Sequence, residues 1–301
     1  MSMRVATFAS TNTLMQAALR TQAQEADVTE QESSGLKSSN YGGLGSDAGK
    51  VVSLQASVTR SKAYSSAATS ANQRTQQMYS SLGSIIDTLT SFKSELSSFD
   101  ATTSDTGTSA LKSDAATTLD SVVSALNAKF GGTYLFAGSA VDTKPVDVSS
   151  MTAQTDPVTT DTSYYSGDDA IASVKVGDDQ TIRYGVTAND DSIEQAIRGL
   201  NTIAGGTTDT TTISSVSDLV DTALTGITTL QSKLSLNSKA LESAISRETT
   251  FQSDMTSTIS DLDSVDIATA TASLSNYKNQ LEASYSALGK IQSLSLDNYL
   301  K

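Results

Sequence analysis

In the stretch from Leu82 to Phe99, the apolar residues Leu82, Ile85, Leu89, Phe92, Leu96 and Phe99 recur at spacings of 3, 4, 3, 4 and 3. That rhythm is the seam of an α-helix lying lengthwise on another helix. Extended back through Met78 and the Ala-rich AATSANQRTQQ, it predicts one helix over residues 48–99, about 75 Å long at the α-helical rise. A rod of that length needs a partner as long as itself. Residues 215–262 supply one: Val220, Ile227, Leu234 and Leu241 recur every seven residues, and Leu224, Leu230, Ile245 and Ile259 fill adjacent positions. The two ends of the chain are therefore expected to pair antiparallel. A third helix, Ser109 to Phe130, carries Leu111, Ala115, Leu119, Val122 and Leu126 and should fold back along the first.

Both prolines, Pro145 and Pro157, lie in the middle of the 301-residue chain, so neither rod is interrupted. The chain reads as arm, insert, arm. Within the insert, SVKV and TIRYGV alternate apolar and polar residues around GDDQ and predict a hairpin. Ser192 and Gln195 are placed as a capping box for a helix over SIEQAIRGLNTIA. The segment GGTYLFAGS, residues 131–139, stands between rod and insert. Gly131 and Gly132 are read as ending the third helix, and Tyr134, Leu135 and Phe136 as opening a strand that anchors the insert to the bundle.

Two weaker helices close the ends. Leu14, Ala18 and Val28 mark the first; Leu274, Leu281, Tyr285 and Leu288 mark the second, with Leu294, Leu296 and Tyr299 beyond it. They carry little apolar material, so a unit made from them alone buries too little to be stable: either they are disordered in the monomer, or many copies assemble. The Gly/Ser-rich SSGLKSSNYGGLGSDAGK is read as a flexible link to the long rod. It has neither the GxxxxGK[ST] spacing nor a preceding strand, which excludes a phosphate loop.

The fold class is thus mainly α: an elongated antiparallel helical bundle formed by the N- and C-terminal arms, with a small central β-rich (α+β) insert. The divisions expected are residues 1–47 with 264–301, residues 48–133 with 212–263, and the insert, residues 134–211.

Chemistry is restricted by what the chain lacks. With no Cys and no His, there are no thiol nucleophiles, disulfides, imidazole bases or Cys/His zinc sites. No GxSxG or SxxK pattern singles out one of the many serines. An enzyme is not expected, nor any cofactor. The acidic pairs Asp168–Asp169, Asp178–Asp179 and Asp190–Asp191 lack EF-hand spacing and suit turns and helix caps.

Formal net charge is −13. Residues 142–221 hold 14 Asp/Glu against 4 Lys/Arg, a net −10, which leaves the arms near neutral. Nucleic acid and anionic membrane surfaces are poor partners for such a chain. Near-neutral arms can pack against their own copies, whereas the acidic middle favours solvent. The opening residues lack a basic n-region and apolar h-region, and no run reaches transmembrane length, so neither a cleavable signal nor membrane insertion is expected.

The N-terminal MRVATFASTNTLMQAALRTQ and QESSGLKSSN leading to SDAGKVVSLQ, with the C-terminal VDIATATASLSNYKNQLEASYSALGKIQSLSLDNYL, resemble the paired terminal signatures of the bacterial flagellin family. GGTYLFAGSAVDTKPV, the YYSGDD segment and the ending LSLDNYLK are similar to the hook-associated branch that joins hook to filament. The resemblance implies a structural, self-assembling subunit of the flagellum. It would be extracellular, exported through the flagellar type III secretion channel and escorted by an export chaperone. Its neighbours would be a hook-associated protein on the hook side and flagellin on the filament side. The terminal helices, with Leu14, Ala18, Leu274, Leu281, Tyr285, Leu288, Leu294, Leu296 and Tyr299, would form the innermost assembly layer. A filament-forming flagellin is the nearest alternative; a surface module that binds a polysaccharide or calcium through its acidic insert is another.

Overall fold

A computed structural model describes residues 2–99, 105–151, 157–206 and 208–297. The elements are helices α1 (Ser2–Ser34), α2 (Ala48–Ser98) and α3 (Asp105–Leu126); strands β1 (Lys129–Phe130), β2 (Thr133–Tyr134), β3 (Ser173–Lys175) and β4 (Thr181–Arg183); and helices α4 (Asp191–Gly205), α5 (Thr210–Asp263) and α6 (Ile267–Asp297). The chain forms mainly helices packed in a bundle, with a small insert that carries two-stranded sheets. It divides into two compact units, residues 1–59 with 252–301 and residues 60–251, whose boundaries fall inside α2 and α5.

In the larger unit the 3,4 seam of α2 is fully used: Leu82, Ile85, Leu89, Phe92 and Leu96 are buried together with Leu111, Leu119, Val122 and Leu126 of α3 and Val216, Val220, Ile227 and Leu234 of α5. Ser61–Glu248, Asn72–Ser238 and Gln231–Tyr79 hydrogen bonds and a Lys93–Asp221 ion pair show α2 and α5 running antiparallel. Helix α4 adds Ile193, Ala196, Ile197, Leu200 and Ile203 to the same core.

The residue-level expectations need four corrections. Helix α3 ends at Leu126, not Phe130. Gly131 and Gly132 do not terminate it; they are the two-residue turn of the hairpin β1–β2, with φ of +58° and +87°, the positive values a type I′ turn demands at both positions. The strand expected from Tyr134 onward stops at Tyr134, because Leu135–Phe136 turn into the core and leave the ladder. The cap of α4 is Asp190, not Ser192: the shorter hydroxyl is buried against the bundle, while the Asp190 carboxylate accepts the Ser192 N–H at 3.0 Å. The expected hairpin does form, with β3 and β4 antiparallel and Val174 opposite Ile182.

In the smaller unit α1 lies along α6. The connection after α1, expected to be flexible, is tied down. Leu36 bridges Ser264, the Lys37 N–H donates to Asp263 O at 2.6 Å, and the Lys37 ammonium donates to Leu262 O at 2.6 Å. A 3₁₀ segment, Tyr41–Asp47, then leads into α2, capped by Asn40. Glycine and serine serve here as turn and cap chemistry rather than as slack.

Candidate assembly surfaces

The terminal pair is held by a 3,4 seam on each helix. On α6, Leu274 and Leu281 are buried beside Ala270, and Leu288 is half-buried; on α1, Ala18 is buried and Leu14 half-buried. Thr21 is buried in the same row, and its hydroxyl is satisfied by donating to Ala17 O at 3.1 Å. Thr271 and Glu32 join across the pair at 2.9 Å. Most residues picked out on these helices thus pack α1 against α6. Tyr285 is 53% exposed, and the sequence reading missed Met15 and Leu19 on α1, which are 54% and 56% exposed. Their signal was available: each follows a seam residue by one position, which turns it out of the 3,4 row. Tyr299, and the side chains of Leu294 and Leu296, lie outside the described residues.

The second surface is the insert entrance. Leu135, Phe136 and Ala137 are buried to 2% exposure or less, Leu135 and Phe136 in one core with α3 and α5, whereas Tyr134 stays half-buried with the Lys129 ammonium 4.3 Å from its ring centre. The segment YYSGDD closes over this entrance. The Asp168 N–H donates to Ala137 O at 3.2 Å, the Ala188 N–H to Phe136 O at 3.0 Å, and the buried Tyr164 hydroxyl to Ala188 O at 2.9 Å. The Asp168 carboxylate accepts the Ser139 N–H at 2.8 Å and the Ala170 N–H at 2.9 Å, as well as the Ser139 hydroxyl. Those donors hold its carboxyl below the usual carboxylate value, the Ser139 hydroxyl most of all. Gly138 has φ +71°, and a Cβ there would come within 2.2 Å of the Asp168 carbonyl oxygen, so this approach requires glycine.

Burial, with nearby carboxylates as a smaller cause, pushes the Tyr165 hydroxyl up to about 12 and raises Tyr164 further. Neither ionises near neutrality; Tyr164, buried, and Tyr165, half-buried, act as hydrogen-bond donors. A buried ion pair, Arg198 Nε to Glu194 Oε1 at 2.9 Å, also receives the Asp161 N–H on Glu194 and sends an Arg198 N–H to Pro157 O. It fixes the loop to α4. The i,i+4 Glu–Arg spacing was visible in the sequence, but its burial was not.

The acidic pairs take up turn and capping positions. Asp168 ties Ser139 to Ala170, Asp169 accepts from Asn189, Asp178 accepts from Tyr64, and Asp190 caps α4. Among the described residues no three acidic side chains converge as metal ligands, and no helix is long and apolar enough to cross a membrane.

Residues 5–141 match the model of the bacterial flagellin N-terminal helical region and residues 217–300 that of the bacterial flagellin C-terminal helical region, together most of the chain. No curated protein sequence matches. Among solved structures, the chain is similar to a protein provisionally assigned as a flagellar hook-associated protein from Vibrio parahaemolyticus, with TM-score 0.59 and 15% identity over 71% of this chain and 96% of that one. It is also similar to flagellar hook-associated protein-3 from Legionella pneumophila, with TM-score 0.54 and 12% identity over 69% of this chain and 98% of that one. At such identities the likeness is one of fold. The paired terminal helices, the antiparallel rods and the two matched regions together make the chain a member of the bacterial flagellin family and a structural component of the bacterial flagellum.

Proposed function

We propose that this subunit joins the flagellar hook to the filament. It assembles with its own copies, contacts a hook-associated protein on one side and flagellin on the other, and reaches the cell exterior through the flagellar export channel with a chaperone on its C-terminal helix. The observation that carries the reading is the clasp between GGTYLFAGS and YYSGDD. These are the two segments that resemble the hook-associated branch, and filament subunits usually lack that entrance. The fold shared with two structures described as hook-associated supports the same branch.

In this reading the three divisions, residues 1–47 with 264–301, 48–133 with 212–263, and 134–211, are the inner layer, the middle rod and the outward insert. Exposed Met15, Leu19 and Tyr285 supply the apolar surface between copies of the inner layer. A strain deleted for this chain should secrete flagellin without retaining filaments, and the wild-type copy should restore them; normal filaments on the deleted strain would sink the junction role. Negative-stain microscopy separates the alternative. A short collar formed only on added hook fragments supports the junction, and long filaments formed without hooks support a filament flagellin. Leu19→Asp should abolish the collar while leaving the larger unit folded.

A further inference from the structure

We propose that the hairpin β3–β4 is a strap that opens as a unit from α2 and α5, hinged at residues 170–171 and 185–187, while the main core stays folded. Its apolar support is separate from that core. Val176 and Tyr184 of the hairpin pack on Ala68, Ala71, Leu241 and Ala244, a cluster distinct from the one formed by α2 to α5 around Leu89 and Phe92. Of the five helix residues in the cluster, three are alanines, and Leu241 with the half-buried Ile245 supplies most of the area that holds the hairpin down. Among the described residues the hairpin has only itself as sheet partner, three residues on three, and an isolated two-stranded ladder is marginal at best in water.

Its tip is fastened by exposed polar contacts. Asp178 accepts from the Tyr64 hydroxyl at 2.9 Å and lies 3.5 Å from Arg60 Nε, with the two charged side chains 66% and 55% exposed. Gln180 accepts from Arg247 at 2.7 Å. Exposed pairs of this type add little, because water and salt compete for both partners.

The root of the hairpin is loosely filled. A small cavity lies where the chain enters and leaves it, lined by Arg74, Met78, Leu135, Ala172, Tyr184 and Gly185 and large enough for about one water molecule. The Arg74 Nε is buried there and meets no acceptor among the described residues. Gly185 carries φ +91°, so the exit strand leaves through a backbone conformation that side chains rarely adopt. Sparse apolar contacts, exposed hydrogen bonds and an underpacked hinge are the conditions for sub-global opening. Opening would bare the small-residue face that α2 and α5 present at Ala68, Ala71 and Ala244. The proposal rests on this geometry and is independent of the junction reading.

Native-state hydrogen exchange on the full chain tests it, because the Val176 N–H donates to Gln180 O and the Tyr184 N–H to Ala172 O within the strap. Both amides should exchange at least roughly tenfold faster than those of Leu119 and Val220, with a weaker dependence on denaturant. Equal protection and equal denaturant dependence would overturn the strap. Tyr184→Ala should speed exchange at Val176 by roughly another tenfold and leave Leu119 and Val220 unchanged. If all of these amides speed up together, the hairpin belongs to the global unit and the proposal fails.

Discussion

Gly226 lies in the interior of α5, where alanine would ordinarily stabilise a helix by about 1 kcal/mol. The structure reverses that expectation. A Cβ on Gly226 would lie 2.3 Å from Ser192 Cβ, 3.0 Å from Ser192 Oγ and 3.6 Å from Ser192 Cα. Carbon atoms pack at about 3.5–4.0 Å, so more than about 1 Å of separation must be found. Rotation cannot find it, because the obstructing Cβ is fixed to the backbone of α4. The start of α4 must move instead, and Ile193, Ala196, Ile197 and Leu200 behind it are fully buried. Overpacking of this kind costs about 1–3 kcal/mol. Taking the upper half, since backbone must shift, and subtracting the propensity gain leaves a net loss of about 1–2 kcal/mol. The melting temperature of the larger unit should fall by about 3–6 °C, measured by far-UV circular dichroism. Gly83→Ala on α2 is the control: its Cβ would meet the mobile end of Gln231 at 3.2 Å, so it should be neutral or stabilising. Adding Ser192→Gly to Gly226→Ala should recover stability beyond the sum of the single changes. A melting temperature for Gly226→Ala at or above wild type would refute the close approach of α4 to α5.

Removing Arg198 leaves the Glu194 carboxylate buried without its cation, so Arg198→Ala should cost about 3–5 kcal/mol by urea denaturation, whereas Glu194→Leu with Arg198→Met should recover most of it. In alkali, Tyr164 and Tyr165 are neutral in the fold and held above their ordinary value of 10.0, so their contribution is complete below pH 10 and is lost as pH rises towards about 12; the 295 nm tyrosinate signal should rise together with loss of ellipticity. In acid, Asp147, Asp168, Asp209 and Asp266 are held below 3.8, so their contribution is complete above that pH and is lost as pH falls through their lowered values; the urea midpoint should decline there. At the β1–β2 turn, Gly131→Asn should be nearly neutral because Asn tolerates positive φ, whereas Gly131→Val should cost about 1–2 kcal/mol in thermal melts.

The long helices were legible because periodicity survives every detail of packing. The seam from Leu82 to Phe99 predicted a helix over 48–99, and α2 is Ala48–Ser98. The β3–β4 hairpin was legible for the same reason, through its alternation around GDDQ. What failed was local chemistry with two valid readings. A Gly pair ends a helix or turns a hairpin, and only the pairing of Lys129 with Tyr134 decides between them. Ser192 and Asp190 are both good caps, but Asp190 has the extended backbone of a cap, while Ser192 lies inside α4 with its hydroxyl donating to Asp190. The link 35–47 looked slack because its partners, Leu262 to Val265, lie more than 200 residues away in sequence. The clasp of Asp168 on Ser139 spans only 29 residues, but no periodicity marks an irregular loop closing on another, so its geometry is not legible from the sequence.

The distribution of charge and apolar surface then acquires a common cause. Helix α6 carries Lys278, Glu282, Lys290 and Asp297, a net charge of zero, and α1 carries Arg4 and Arg20 against Glu25, Asp27, Glu30 and Glu32, a net of −2, while residues 142–221 carry −10. Two copies meeting through a strongly acidic face would have to overcome like-charge repulsion across a Debye length of about 8 Å. Copies meeting through the terminal pair would not. Yet the terminal pair holds itself partly with small contacts, Ala18 between Leu14 and Thr21 and Ala270 ahead of Leu274, and leaves Met15, Leu19 and Tyr285 in water. A pair optimised for its own stability would exchange those alanines for larger residues and those exposed apolar groups for charged ones. The opposite choice on both counts is what a surface needs if its missing stability is to come from neighbouring subunits, as the proposed inner layer requires.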